Sequence, residues 1–553
     1  MRRSNARKSR HESANENPNS MDSIKSLNLK QSTLFRTNSL SKTSKNTSKS
    51  NLVVVSALSV SFAVAIWVLM VFFGRRSGQS SSRFGIVIDG GSTGSRIHVF
   101  EYRVEGGLPV FDFGPDGLGS MRVNPGLSAY AGDPGRAGGS LVELLEFGKR
   151  RVPREFWGET EIRLMATAGL RLLEVKDQER IIESCRRALR SSGFKFQDDW
   201  ASVISGSDEG LYAWVVANYA LGSLGGDPQQ TSGIIELGGA SAQVTYASSG
   251  PVPAEFSHSL KFGNVTYNLY SHSWLHFGQN AAFDSLRELL VSNSQFNASS
   301  LSAATGAPEK KLLMDPCTPK GYSHHTTLKT LSPDSVALKY ESSFRAVGNF
   351  SQCKTAALMV LQGRKEDCAS HTCTSESFSM PKLHGNFLAT ENFFYTSKFF
   401  GLAPEAALSD LMHSGQRFCE EEWSNIKPKY SSMDEEDLSR YCFSSAYIVA
   451  LLHDGLGVGL DEARVRYTNQ VEGIPLDWAL GAFILHSVAE AQVECLDQVT
   501  GVAGNGLSSI FLLLIAFLIL VIIGWSISNW RKPHLKTIYD LEKGRYIVTR
   551  ISR

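Results

Sequence analysis

The sequence has almost no net charge. Its 553 residues carry 56 Lys and Arg against 54 Asp and Glu, a formal charge of +2. Proteins that bind nucleic acid usually present a marked basic excess, so we expect no nucleic-acid partner. The basic residues are instead concentrated at the chain ends: residues 1–50 hold 11 against three acids, and residues 531–553 hold seven against two. Residues 1–51 are rich in Ser, Asn and Lys without an apolar period, which predicts a disordered tail.

Two segments lack charged residues altogether. Residues 52–73 and 507–527 are largely apolar, and each is long enough to cross a bilayer as a helix. The basic tails, 1–51 and 528–553, then follow the positive-inside rule, which places both termini in the cytosol and the body between the spans in a lumen or outside the cell. A signal peptide is the alternative for the first span, but about fifty preceding residues are too many for an n-region. The Golgi or another endomembrane, a vesicle and the plasma membrane remain open as locations.

Cysteine is absent from both tails. All eight cysteines lie between Cys185 and Cys495, and six of them fall within 317–442, which predicts disulfides in an oxidising compartment. Metal binding is the alternative, but the spacing of Cys368 and Cys373 fits zinc patterns poorly. The same body contains three acceptor sequences for N-glycosylation, so we expect a glycoprotein. These sequences begin at Asn264, Asn297 and Asn349.

An apolar run followed by an acid and a Gly-rich turn occurs twice, as IVIDGGSTGSR (86–96) and IIELGGASAQ (234–243). One such segment is most simply an ordinary hairpin. The alternative is a phosphate cradle, in which backbone N–H groups face an anion and the acid faces a cation. Two copies, with Asp89 and Glu236 at the same place in each, favour the cradle. They suit two similar lobes that hold a polyphosphate and a divalent cation between them.

Two further segments lie between these turns. Residues 162–173 predict a strand-to-helix turn whose small residues allow close backbone approach, and a plain strand–helix connection is the alternative. Residues 205–222 begin with turn formers and continue as a helix that ends near Gly222. Asp208 and Glu209 stand at the start of that helix. A chemical role and a simple stabilisation of the helix N-terminus are both open for this pair.

Five blocks, taken together and in this order, resemble the conserved regions of the apyrases, also called nucleoside triphosphate diphosphohydrolases or ecto-nucleotidases. The chain is most similar in character to plant-type, membrane-bound members of that family. The blocks extend across most of the body. They read IVIDGGSTGSR (86–96), ATAGLRLL (166–173), SDEGLYAWVVANYALG (207–222), IIELGGASAQ (234–243) and DWALGAFIL (477–485).

The resemblance implies an α/β fold of two ribonuclease H-like lobes, as in the actin, Hsp70 and sugar-kinase superfamily, with the nucleotide in the cleft. The first lobe takes residues 83–205 and 472–500, and the second takes 206–471. Asp477 is then the N-cap of a helix that returns to the first lobe. The family's cysteine pattern implies Cys368–Cys373 and Cys419–Cys442, makes Cys317–Cys353 plausible, and leaves Cys185 and Cys495 unassigned.

The implied activity is hydrolysis of the terminal phosphate of nucleoside tri- or diphosphates by in-line attack of water, with Ca²⁺ or Mg²⁺ as the cation. Glu209 matches the family's general base, and Ser241 and Gln243 match the residues that orient the water. The remaining matches contact phosphate or approach the cation through water. The phosphate residues are Ser92, Thr93, Gly94, Gly239 and Ala240, and the cation residues are Asp89 and Glu236, with Thr167 nearby.

Some assignments stay open at this point. Arg96 has two alternatives, phosphate binding and a structural ion pair, and Trp478 has two, the cation region and the core. Glu236 stands where most relatives carry Asp, which moves the carboxylate by more than ~1 Å and affects either metal preference or rate. A catalytically silent membrane receptor is an alternative function, and a small-molecule kinase is another. The presence of Asp89, Glu209, Ser241 and Gln243 argues against the receptor, whereas Glu236 in place of Asp is a point in its favour. The predicted topology argues against the kinase. The sequence does not indicate an oligomeric state.

Overall fold

The computed structural model describes residues 61, 64, 67, 82–105, 108–111, 113, 119–299, 312–329, 339–363, 380–501, 515–524 and 535–550. The chain divides into two compact units, Met1–Gln79 and Ser80–Arg553. The second unit contains two six-stranded sheets and the cleft described below.

The first sheet is built from the N-terminal third of the body. Its strands are β1 Arg83–Gly90, β2 Ser95–Glu105, β3 Leu108–Phe111, β4 Gly119–Val123, β5 Glu161–Ala166 and β6 Ala201–Val203. They lie in the order β3-β2-β1-β5-β6, and β4 also pairs with β2. β1 is antiparallel to β2 and parallel to β5. Its central residues, 85–88, are buried, as expected for an apolar strand that is covered on both faces.

The second sheet repeats this arrangement. The following strands are β7 Gly233–Leu237, β8 Ser241–Ala247, β9 Ser257–Phe262, β10 Val265–Leu275, β11 Leu312–Asp315, β12 Ser323–Lys329, β13 Lys339–Ala346, β14 Phe387–Glu391 and β15 Val465–Tyr467. The second sheet has the order β15-β14-β7-β8-β10-β9, while β11, β13 and β12 form a small sheet of their own. Like β1, β7 has an antiparallel hairpin partner on one side and a parallel strand on the other. The expectation of two similar α/β lobes is therefore confirmed.

Helices pack against both sheets. They are α1 Val142–Arg151, α2 Ala168–Arg171, α3 Val175–Arg190, α4 Gly206–Ala220, α5 Gln279–Ser299, α6 Phe350–Gly363, α7 Asn392–Phe399, α8 Leu408–Glu420, α9 Trp423–Lys429, α10 Glu435–Ser439, α11 Tyr441–Val449 and α12 Trp478–Gly501. Residues 515–524 are also helical. α1 and α3 bury apolar side chains with the first sheet, and α6, α8 and α11 do so with the second. The described residues also form two short hairpins. One pairs β16 Gln470–Val471 with β17 Ile474–Pro475, and the other pairs β18 Leu535–Asp540 with β19 Arg545–Arg550.

Two helices pack between the sheets and determine how the lobes meet. α4 contacts β7, β8 and β10, whereas α12 contacts β1 and β3, and the two helices also contact each other. They cross closely because residue 481 is Gly: a Cβ atom there would overlap the carbonyl oxygen of Tyr212. Phe483 of α12 stacks on Phe100 of β2 with ring centroids 4.8 Å apart. The lobe boundaries inferred above remain predictions, but the helix that begins after Asp477 packs on the first sheet.

Two predicted disulfides are present, Cys317–Cys353 and Cys419–Cys442. Cys185 is buried and unpaired. The pair Cys368–Cys373 lies outside the described residues, as does the side chain of Cys495.

Neither membrane span is confirmed by the structure. Among the described residues, no helix is both long enough and apolar enough to cross a bilayer. Most of 52–73 and half of 507–527 lie outside those residues.

Candidate active site

One cavity opens between the two Gly-rich turns, and all eleven predicted site residues line it. Its wall also includes residues that were not among those eleven; Arg96 and Trp478 are two for which a site role was left open. The predicted residues are Asp89, Ser92, Thr93, Gly94, Thr167, Glu209, Glu236, Gly239, Ala240, Ser241 and Gln243. The others are Gly91, Arg96, Arg122, Ala168, Gly238, Glu391, Asp477 and Trp478. This placement brings the residues together, while their individual roles remain predictions.

The two turns face each other because each closes an equivalent hairpin. β1 and β2 pair Asp89 with Arg96, and β7 and β8 pair Glu236 with Gln243. Each acid therefore ends its strand beside the turn. A Cβ atom at residue 239 would lie 2.9 Å from Ser92 Oγ, so glycine at this position allows the second turn to approach the first.

The two acids at the start of α4, Asp208 and Glu209, have different surroundings. Ser205 caps the helix, since its Oγ accepts from the backbone N–H of Asp208 at 3.0 Å and donates to Asp208 Oδ2 at 2.7 Å. Asp208 thus stabilises the helix N-terminus. Glu209, the next residue, is only 9% exposed and lines the cavity. The helix predicted over 205–222 is confirmed.

Arg171 is a cavity-side partner that the sequence analysis did not single out. Its Nη2 donates to Glu209 Oε2 at 2.8 Å and to Ser241 Oγ at 3.4 Å, while Nη1 donates to the carbonyl of Ile204 at 3.1 Å. The only available signal was its place in the block at 166–173. Residues 162–173 contain most of β5 and the whole of α2, which confirms the predicted strand-to-helix turn. Arg171 therefore fixes one carboxylate oxygen of Glu209.

A short hydrogen-bonded chain continues from Arg171 into the second turn. Gln243 Nε2 donates to Ser241 Oγ at 2.7 Å and to Ser273 Oγ at 3.2 Å. Ser241 Oγ thus accepts from Gln243 and from Arg171. Because a hydroxyl has one proton to donate and two lone pairs, the Ser241 proton is directed to a further acceptor.

Burial is the main influence on the pKa values of the carboxyl groups in the cavity. It raises the pKa of Glu209, and the neighbouring Arg171 opposes that rise. The pKa values of Asp89 and Glu236 lie well above their ordinary range, again mainly through burial. Repulsion from Asp477 adds to this at Asp89, and repulsion from Glu209 adds to it at Glu236. Burial therefore favours the protonated forms of these groups, and a positive partner in the cavity would favour the carboxylates.

The cavity carboxylates fit a hydrated divalent cation. Asp89 Oδ1 and Glu236 Oε2 are buried and have no hydrogen-bond partner among the described residues. Buried polar atoms normally have partners, and waters bound to a cation would supply them. Within the same part of the chain, no three Asp, Glu, His or Cys side chains are arranged to hold a metal ion directly.

Arg96 forms an ion pair and Trp478 belongs to the core, and both also line the cavity, so their site roles stay predictions. Arg96 Nη1 lies 3.5 Å from Asp477 Oδ2, and Arg96 also lines the cavity. Asp477 Oδ1 accepts from the backbone N–H of Ala479 at 3.0 Å, as an N-cap does. Trp478 lines the cavity and belongs to the core between the sheets.

Arg122 and Glu391 also line the cavity, although the sequence gave them no role. Arg122 Nη2 donates to Thr93 Oγ1 at 2.5 Å, which attaches β4 to the first turn. Glu391 ends β14, the parallel neighbour of β7. Neither residue belongs to a block that resembles the family.

Comparison with known proteins gives a consistent answer. The model of the GDA1/CD39 (nucleoside phosphatase) family matches residues 76–498. "Probable apyrase 6" of Arabidopsis thaliana is 52% identical over the whole of both chains. "Probable apyrase 4" of the same plant is 51% identical, over 80% of this chain and 87% of its own.

A solved structure of nucleoside triphosphate hydrolases from Neospora caninum is similar with a TM-score of 0.56, covering 78% of this chain and 97% of that one. At 16% identity, that likeness concerns the fold alone. The family model spans well over half of the chain, and the sequence-based expectation of an apyrase-type hydrolase is confirmed. The chain belongs to the GDA1/CD39 (nucleoside phosphatase) family.

Proposed function

We propose that the protein removes the terminal phosphate of nucleoside tri- and diphosphates, releasing a shorter nucleotide and inorganic phosphate, with Glu209 as general base. The observation that carries this proposal is that Glu209 and both Gly-rich turns line one cavity. A phosphate chain held by the two turns then lies beside a carboxylate. No covalent intermediate with the protein is required, because water is the nucleophile.

The base acts through one carboxylate oxygen. Arg171 engages Oε2 of Glu209, so we assign the water proton to Oε1. The proton of Ser241, which has two N–H donors on its oxygen, is directed toward the water, and Gln243 holds Ser241 in place. As the water oxygen bonds to the terminal phosphorus, its proton passes to Glu209 and the bridging oxygen leaves with the nucleotide.

Backbone N–H groups of the two turns bind the non-bridging phosphate oxygens. Donors that stand in place before the reaction stabilise developing charge without reorganisation. In the first turn, Arg122 keeps the Thr93 hydroxyl in position and adds positive charge near the phosphates. The proposed donors are Ser92, Thr93 and Gly94 in the first turn and Gly239 and Ala240 in the second.

A divalent cation, Ca²⁺ or Mg²⁺, offsets the charge of the phosphates when bound. Asp89 and Glu236 hold its waters, as their unpartnered oxygens Oδ1 and Oε2 suggest. Thr167 lies at the end of β5, beside the same region. Mg²⁺ in particular keeps several waters when it binds protein, so direct coordination by the acids is not needed.

Phosphate release by the purified full chain tests this function. ATP, ADP, GDP and UDP are offered with Mg²⁺ or Ca²⁺ and then with chelator, beside Glu209→Gln. We expect release that depends on the cation and is lost in the variant. A folded wild-type protein that releases no phosphate would favour the silent receptor. Phosphate transferred to an added acceptor, without release to water, would favour the kinase.

We also propose that residues 52–73 and 507–527 span a membrane, with both tails cytosolic and the body lumenal or extracellular. The two disulfides support an oxidising compartment for the body. Asn264 is exposed beside a turn, where an N-glycan has room. The test is the mobility of the protein made in plant membranes: a glycosidase-sensitive shift that Asn264→Gln reduces supports this orientation, and an unglycosylated, protease-exposed body would contradict it.

A further inference from the structure

Glu391 is a cavity residue that stands on the strand next to Glu236. β14 and β7 are parallel and in register, with Thr390 opposite Glu236 and Glu391 opposite Leu237. Both acids therefore lie at the carboxyl ends of neighbouring strands in the second sheet. They are 155 positions apart in the sequence, so no local motif connects them.

The backbone of Glu391 adopts an unfavourable conformation, with φ 59° and ψ −121°. A side chain other than hydrogen crowds the main chain there, and glycine is the residue that adopts it readily. The conformation is held from two sides. Asn469 Oδ1 accepts the backbone N–H of Glu391 at 2.8 Å, and the next residue, Asn392, donates Nδ2 to the carbonyl of Leu237 at 2.7 Å. Backbone conformations of this kind cluster at functional sites, where the surrounding contacts hold them.

Three acids of the cavity form no ion pair with a basic side chain among the described residues. Arg171 pairs with Glu209, and Arg96 pairs with Asp477. Arg122, which also lines the cavity, donates to Thr93 and Asn124, and together with Arg96 it opposes the burial that raises the pKa of Glu391. The acids that remain are Asp89, Glu236 and Glu391.

A second observation points to a ligand rather than to a mere cluster of acids. Glu236 is only 5% exposed, lines the cavity, and has an Oε2 atom without a hydrogen-bond partner among the described residues. Such an atom in a buried site calls for a donor, and a water held by a cation is one.

We propose that Glu391 is a third carboxylate that holds the hydration shell of the divalent cation, beside Asp89 and Glu236. The inference rests on the proposed function, because it concerns the same cation. Glu391 is a positioning residue and takes no proton in the reaction. Its charge favours the cation and, when the cation is absent, repels the neighbouring acids.

Two opposite effects follow from that role. Glu391→Gln removes a negative charge but preserves length and shape, so it weakens cation binding and relieves repulsion in the metal-free protein. Glu391→Gly has the same effects and also relieves the backbone conformation. If the role of Glu391 were purely structural, its replacement would instead lower the stability of the metal-free protein and leave the cation affinity unchanged.

The experiment uses the full chain, stripped of metal by chelation and titrated with Mn²⁺ without nucleotide. Free Mn²⁺ is followed by electron paramagnetic resonance, and unfolding is followed by thermal scans. For Glu391→Gln we expect a dissociation constant about tenfold higher than that of the wild type, and a melting temperature without metal about 2–4 °C higher. Glu472→Gln is the matched control, since Glu472 also has a positive φ, 50°, but is exposed and does not line the cavity.

The possible results distinguish the role of Glu391 from the existence of the cation site itself. Unchanged Mn²⁺ affinity in both Glu391 variants would overturn the role of Glu391 and leave the proposed cation site standing. A lowered melting temperature with unchanged affinity would assign Glu391 a structural role. If the wild type bound no Mn²⁺ at all, the cation step of the proposed function would fail first. Weaker binding in the Glu391 variants but not in Glu472→Gln supports the proposal.

Discussion

The two Gly-rich hairpins have the same strand pairing, but they differ in the residue that is paired with the acid. In the first hairpin Asp89 pairs in register with Arg96, a cation that also contacts Asp477. In the second, Glu236 pairs with Gln243, a neutral amide that donates to Ser241 and Ser273. The first hairpin therefore places a guanidinium on the strand opposite its acid, and the second places an uncharged network of hydrogen bonds there.

This difference teaches how two similar lobes can serve different steps. A guanidinium near a phosphate turn suits the binding of a charged substrate. An amide and a hydroxyl linked through Arg171 to Glu209 suit the orientation of water. The repeated sheet supplies two equivalent places, and we expect the residues on the returning strands β2 and β8 to determine the role of each. The comparison predicts that changes in the first hairpin affect substrate binding and changes in the second affect turnover.

The largest effect is expected for Glu209→Gln. The variant retains the hydrogen-bonding shape but cannot accept the proton, so kcat should fall about 10²–10⁴-fold, the usual contribution of general-base catalysis. Phosphate release at saturating nucleotide measures it. Asp208→Asn is the matched control, since Asp208 binds Ser205 at the helix start. If both variants lost activity equally, the effect would belong to the helix rather than to the base.

A second comparison concerns the cysteines of the two lobes. Among the described residues, both disulfides support the second sheet, whereas α3 beside the first sheet contains the unpaired, buried Cys185. Replacing Cys419 and Cys442 together by Ser should lower the free energy of local unfolding in α8 and α11 by about 2–5 kcal/mol. Amide hydrogen exchange measures this helix by helix.

The control for the disulfide is Cys185→Ala. This change removes one buried sulfur atom and should lower the local stability of α3 by about 1 kcal/mol, without effect on α8 or α11. Equal loss of protection in both lobes after removal of the disulfide would show that the lobes unfold as one unit, contrary to this prediction.

Arg171→Met tests the charge that stabilises the base. Arg171 opposes the burial that raises the pKa of Glu209, so its loss should raise that pKa further. Activity requires the ionised base, and the acid limb of the kcat–pH profile should therefore move to higher pH. Arg163→Met is the control, because Arg163 pairs with Glu161 at 3.0 Å in the same sheet but outside the cavity. If the kcat–pH profile of Arg171→Met were the same as that of the wild type, Arg171 would have no influence on the ionisation of the base.

Local segments of the chain predicted much of the fold and the site. The hairpins at 86–96 and 234–243 could be recognised because an apolar run, an acid and glycines are adjacent in sequence. Their repetition indicated two similar lobes before any contact was known. The resemblance to the family then selected residues from these short segments, and all eleven lie on one cavity wall.

The missed residues are those whose role depends on contacts between distant segments. Arg171 meets Glu209 across 38 positions, and Arg122 meets Thr93 across 29. Glu391 reaches the cavity only because β14 pairs with β7. Propensity and periodicity describe neighbours along the chain, so an isolated glutamate at the end of a short strand gave no signal. Its unusual φ becomes visible only in the folded chain.

The smallest effects should separate the two hairpins most directly. Gln243→Leu removes the donor to Ser241, so kcat should fall about tenfold while KM stays nearly constant, as for loss of one hydrogen bond that acts on the water. Thr93→Val removes the hydroxyl that Arg122 holds in the first turn, so KM should rise by a similar factor with little change in kcat.

Steady-state kinetics with one nucleotide and fixed cation measure both variants side by side. The division of labour requires the two changes to appear in different kinetic constants. If Gln243→Leu raised KM and Thr93→Val lowered kcat, the roles of the hairpins would be exchanged. If each variant changed both constants together, the two turns would act as one unit, and the difference between Arg96 and Gln243 would concern stability of the lobes rather than chemistry.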